Sequence, residues 1–119
     1  MSTQARPKLF LLKPSFVDPK AGPGDWFCVH CAMLEGLLLQ HPDMAVQLDV
    51  HRIDFERPRP AVIAELGEAH QVCPVLVLPP GWQGPTAGGR EANGRTFFVG
   101  DHDIAVFLAT WAGTPKPHP

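Results

Sequence analysis

Two cysteines separated by two residues, Cys28-Val29-His30-Cys31, are the residues in this chain best placed to do chemistry. If they open a helix, positions three apart share one face, with Cβ atoms about 5–6 Å apart. A disulfide wants them about 3.5–4.5 Å apart, so a small adjustment joins or parts the sulfurs. The first residue of such a pair also meets unsatisfied backbone N–H groups and the positive end of the helix dipole. Both favour a thiolate, so Cys28 is expected to ionise readily and act as nucleophile. Cys31, one turn deeper, is expected to be buried and to resolve. A protonated His30 between them would stabilise the Cys28 thiolate, and stabilising the reduced form makes a couple more oxidising.

Cys73 is the third thiol. Together Cys28, Cys31 and Cys73, with His30 as a candidate fourth ligand, leave open a zinc or iron–sulfur site. A packing role for Cys73 is the plainer alternative. An odd cysteine count argues against a structural disulfide framework and fits a reducing, cytoplasmic setting.

The elements that would position these residues are legible from pattern. Residues 8–13 are a short apolar run stopped by Pro14, expected as a strand. Residues 14–25, rich in Pro, Gly and Asp, are expected as loop. A helix then starts at Phe27 or Cys28 and ends near Gln40, before His41-Pro42, with Cys31, Leu34 and Leu38 on one stripe. A strand over 48–55 follows. A second helix begins at Pro60 and ends near His70, with Val62, Ile63 and Leu66 recurring. Val75-Leu76-Val77-Leu78 is a third strand and residues 79–93 a second long loop. Asn93-Gly94 signals a type I′ turn into a fourth strand over 95–99. Asp101 or Asp103 then caps a last helix in which Ile104, Phe107, Leu108 and Trp111 recur. The order β-α-β-α-β-β-α implies an α/β fold, a four-stranded mixed sheet flanked by helices. The 119 residues are read as one domain, 1–119, with 115–119 a loose proline-rich tail.

Bulk properties exclude some partners. A net charge of -2 gives no basic stripe for nucleic acid, and Arg57 and Arg59 are too few to supply one. No apolar run approaches the ~20 residues of a membrane span, and residues 9–12 are too short for a secretory core. The composition does not address oligomeric state.

The strand over 8–13, Cys28-Val29-His30-Cys31 at the next helix, and Val72-Cys73-Pro74 before the third strand resemble the thioredoxin-like superfamily. The resemblance implies a cis Cys73–Pro74 bond packed against the dithiol, forming a groove in which an extended substrate pairs with backbone. The order of elements looks like the glutaredoxin and glutathione-transferase thioredoxin domain. There Gly100, Asp101 and Asp103 would hold the γ-glutamyl end of glutathione, with plain helix capping as the alternative. Leu11-Leu12-Lys13-Pro14, Cys28-Val29-His30-Cys31-Ala32 and Cys73-Pro74-Val75-Leu76-Val77-Leu78 are more closely similar to a family of small bacterial thioredoxin-like proteins of unknown function. The implied activity is thiol–disulfide exchange with protein or small-molecule thiols. Trp26 and Phe27 would form an apolar substrate rim, glutathione would be a candidate co-substrate, and no cofactor would be tightly bound. A thioredoxin-like adaptor without turnover is the remaining alternative. Trp82 is expected to lie away from the dithiol.

Overall fold

The structure, a computed structural model, describes residues 5–119, so the first four residues of the expected domain lie outside it. Strand β1 (Lys8–Leu12) is an interior strand of a five-stranded mixed sheet, one in from its edge. It runs parallel to β4 (Asp49–Ile53) and antiparallel to β5 (Val75–Val77). Beyond β5 come β7 (Arg95–Val99) and, at the edge, β6 (Arg90–Ala92), giving the order β4-β1-β5-β7-β6. A parallel neighbour to β1 needs a crossover, and α1 (Val29–Gln40) supplies it. A short α2 (Pro42–Ala45) follows, with proline in its first turn. Helix α3 (Pro60–Leu66) precedes β5, and α4 (Asp101–Ala112) follows β7.

Both faces of the sheet are covered, which is why β1 and β5 read as unbroken apolar runs rather than alternating ones. Leu9, Leu11, Leu76 and Phe98 face α1 and α4, meeting Cys31, Leu34, Ile104 and Leu108. Phe10, Val75, Val77 and Phe97 face the other way, against Val62 and Leu66 of α3. A two-toothed fork from Arg52 on β4 to Glu35 on α1, at 2.6 and 2.8 Å, fixes the crossover helix from outside.

Four expectations are corrected. The sheet has five strands rather than four, because β6 lies inside the segment expected as loop. Asn93 and Gly94, at φ 50° and 71°, make the tight turn that folds β6 onto β7. The 14–25 segment is not all loop. It carries a small antiparallel ribbon of β2 (Phe16–Val17) and β3 (Asp25–Trp26), held from below by Phe16 stacked on Phe55 at 4.3 Å. The second helix ends at Leu66 rather than near His70, since Gly67 takes φ 86°. Finally, neither Asp101 nor Asp103 caps α4; its N-cap is Gly100, at φ 86° and ψ 156°, which no side chain caps.

Among the described residues, no helix is long and apolar enough to cross a membrane. Residues 115–119 adopt neither helix nor strand, and several of them border a cavity with Met33 and Leu37 of α1.

Candidate functional site

Cys28 is the N-cap of α1, with φ -79° and ψ 112°, and its Sγ accepts the backbone N–H of Cys31 at 3.2 Å. A cap in extended conformation turns its side chain back over the first helical turn, where the helix has donors and no carbonyls to meet them. The thiol therefore sits on the positive end of the helix. All three cysteines are unpaired.

Cys31 lies one turn on and is 3% exposed, within the core between the sheet and α1. Its Sγ accepts the Leu12 N–H at 3.4 Å, at the point where β1 ends. Burial pushes the Cys31 thiol up to about 12, reinforced by its hydrogen bond to Cys28 and by the charges of Cys28 and Cys73; the Leu12 N–H works against them. Two chemically identical side chains three residues apart are thus unequal. One lies at the rim and the other is held neutral inside.

Cys73 precedes β5 and is half-buried. The Cys73–Pro74 bond is cis, as the resemblance implies, and Pro74 is buried. Burial pushes the Cys73 thiol up to about 11, and the charge of Cys28 adds to the rise, while Arg59 and Arg57 oppose it. Among the described residues, no group of three or more His, Cys, Asp and Glu side chains is arranged to hold a metal ion.

Three backbone segments converge here. The Pro74 carbonyl accepts the Gly100 N–H at 3.1 Å, tying the turn before β5 to the start of α4. Asp101, next in sequence, meets His30 Nδ1 at 3.1 Å, tying α4 to the start of α1. The amide of Gly100 and the carboxylate of Asp101 are therefore both engaged within the protein. Asp103 is exposed on the next residue pair of the same turn. Trp26, Phe27, Val29 and Val72, at 39, 62, 61 and 39% exposed, surround the cysteines in sequence and present an apolar collar to solvent.

Arg59 escaped the sequence reading, which counted it only as charge. It is 6% exposed, and its guanidinium donates to the carbonyls of Phe55 and Gln71 while lying over the Phe55 ring. Its own N–H donates to Gln71 Oε1 at 2.8 Å. This arginine sews the segment after β4 to the segment before Cys73. The only signal in the sequence was a charged residue between two prolines, Pro58 and Pro60. Arg57, exposed beside it, and Arg59 line an open groove of about 470 Å³ with Phe55 and Lys20. A larger cavity of about 670 Å³ opens near Arg6, Gln47, Trp82 and Trp111 and holds none of the cysteines. Trp111 is ten residues along α4 from Asp101, about 15 Å of helix. Trp82 packs against it and Phe107, away from the dithiol as the order of elements implied.

Residues 6–116 match the model of the family described as "Protein of unknown function (DUF3088)", and the chain belongs to that family. No curated protein and no solved structure gives a significant match.

Proposed function

We propose that this member of that family is a thiol–disulfide oxidoreductase of thioredoxin-like architecture, working through Cys28 and Cys31 and accepting protein disulfides or glutathione adducts. The observation that carries the reading is the inequality of the two thiols. Cys28 caps α1 at the rim, while Cys31 is buried and held neutral. The core path β1-α1-β4-α3-β5-β7-α4, with strand order β4-β1-β5-β7 and a cis prolyl bond before β5, supports the architecture.

In the forward half-reaction the Cys28 thiolate attacks one sulfur of a substrate disulfide. The substrate S–S bond breaks, a Cys28–S–S–R mixed disulfide forms, and the other substrate sulfur leaves as a thiolate and takes up a proton. Cys31 loses its proton and attacks Cys28 Sγ, which expels R as its thiol. The protein ends as the Cys28–Cys31 disulfide and the substrate as two thiols. A further thiol, glutathione or a dithiol protein, returns the protein to its reduced form. His30, anchored by Asp101, adds positive charge beside Cys28 when protonated. The apolar collar and the backbone around Pro74 receive the substrate chain.

Reduction of glutathione disulfide and of insulin by wild type, Cys28→Ser and Cys31→Ser tests this. Wild type turns over, Cys28→Ser is inert, and Cys31→Ser still reacts with the substrate disulfide at Cys28 but forms no Cys28–Cys31 disulfide. Equal rates for wild type and Cys28→Ser would leave an adaptor without turnover as the reading.

A further inference from the structure

Cys73 is the thiol the exchange reaction above leaves unused, yet three contacts bring it to the same point as the dithiol. The β1–β5 register pairs Phe10 with Val75. Cys73 lies two residues before Val75, and Leu12, two residues after Phe10, holds the Cys31 sulfur through its N–H. On the other side, Pro74 is bonded to Gly100, and Asp101 to His30 on the first turn of α1. Cys28 and Cys73 both border the core beneath α1 and α4, and Cys73 also borders the core beneath α3. The turn carrying Cys73 is therefore tied through Gly100 and Asp101 to the start of α1, which carries the dithiol, while the end of β1 holds the Cys31 sulfur.

We propose that Cys73 is a second resolving thiol, attacking Cys28 in the mixed disulfide and passing through a Cys28–Cys73 disulfide. This rests on the exchange reading of the site. In the step, the Cys73 thiol loses its proton and its sulfur attacks Cys28 Sγ. The Cys28–S–S–R bond breaks, and R leaves as a thiolate that takes up the proton. The reduced Cys31 thiol then exchanges with the internal disulfide, giving Cys28–Cys31 and returning the proton to Cys73. Electrons balance without another reagent: the substrate disulfide is the oxidant, and the second exchange is redox-neutral.

The electrostatics agree with this placement. The charge of Cys28 raises the cost of ionising Cys73, and the charge of Cys73 does the same to Cys31, so all three sulfurs lie within reach of one another's fields. Arg59 and Arg57 oppose that rise at Cys73, and neither acts on Cys31. A cysteine retained for packing alone needs neither the arginines nor the neighbouring sulfurs.

The test uses reduced Cys31→Ser chain and glutathione disulfide as the probe, with non-reducing peptide mapping. An internal thiol acts at an effective concentration of order mM even when flexibly tethered. With about 10 μM glutathione released, the Cys28–Cys73 disulfide should exceed the Cys28–glutathione adduct by about a hundredfold. In Cys31→Ser/Cys73→Ser the adduct should persist. Because position 31 is buried, the pair is repeated in a Cys31→Ala background, with circular dichroism confirming the fold. A stable adduct on Cys28 with Cys73 still free, in both backgrounds, overturns the inference and leaves the dithiol reading intact. No adduct on Cys28 in any variant removes both.

Discussion

The inequality of the three thiols can be measured without knowing a substrate. Consider alkylation of the native, reduced chain by iodoacetamide at pH 8. Cys31 ionises near pH 12 against an ordinary value of 9.0, which lowers its thiolate fraction by about a thousandfold. A more basic thiolate is also a better nucleophile. With a Brønsted coefficient of about 0.4–0.5, three units return about fifteenfold to thirtyfold, so the net slowing is about thirtyfold to sixtyfold. For Cys73, near 11, the same arithmetic gives about tenfold. Cys31 is slowed further because it is 3% exposed and the reagent must reach it through a local opening. The assay is pulsed alkylation with light reagent, denaturation, a chase with heavy reagent, and peptide mass spectrometry, using free cysteine as the reference thiol. Cys73 should label about tenfold more slowly than the reference and Cys31 slowest of all. Labelling of Cys31 within about threefold of the reference would refute the argument, because then neither burial nor its neighbours hold the proton.

Three other outcomes follow from packing and charge. The folded state keeps protons on Cys31 and Cys73 that the unfolded chain releases above pH 9, so stability is full below pH 9 and falls as pH rises towards 11 and then 12. Cys31→Ala should therefore flatten the dependence of urea-unfolding free energy on pH between 9 and 12, by up to one proton per molecule. Arg59→Met should cost about 2–4 kcal/mol in urea unfolding, because it strands the Phe55 and Gln71 carbonyls. Arg59→Lys should recover little of that, since one ammonium cannot span both carbonyls in a planar fork. Leu34→Ala, at a site with no exposure beneath α1, should cost about 2–5 kcal/mol by the same measurement.

What the sequence disclosed depended on whether a residue's role was local or assembled from distant segments. The strands at β1, β5 and β7 are short apolar runs, broken only by Lys8, Arg95 and Thr96 at their starts, and α4 repeats its core residues at helical spacing, so pattern alone located them. The helix start at Cys28 needed only an apolar stripe after a proline-rich segment. The ribbon of β2 and β3 is different. Its two-residue strands carry no alternation, and it exists because Phe16 finds Phe55, some forty residues away. β6 was hidden for a similar reason, since Arg90, Glu91 and Ala92 have no apolar face and form a strand by pairing with β7. Asp101 has the composition of a helix cap, and only the arrival of α1 turns its carboxylate to His30 instead. Arg59 is the sharpest case. Burying a guanidinium is costly in general, and its partners here are two main-chain carbonyls, which no residue type advertises.

The causes that hold the Cys31 proton also say when it can leave. Burial is the largest, but the next is the hydrogen bond with the Cys28 thiol, and the Cys28 charge adds to it. Both contributions of Cys28 depend on its sulfur being free. In a mixed disulfide that sulfur carries neither charge nor proton, so two of the influences opposing ionisation of Cys31 vanish together, while the Leu12 N–H that favours its thiolate stays in place. On the proposed exchange reaction, Cys31 is thus harder to ionise in the resting chain than once the Cys28 sulfur is held in a disulfide. Cys28→Ala reproduces the lost charge and hydrogen bond without offering a disulfide to attack. In that variant the alkylation of Cys31 should reach its half-maximal rate at lower pH than in wild type, below the value near 12. Following the iodoacetamide rate at Cys31 from pH 8 upward in both chains decides it. A Cys28→Ala midpoint equal to or above the wild-type one would mean that burial alone holds the proton, and that substrate capture does nothing to release it.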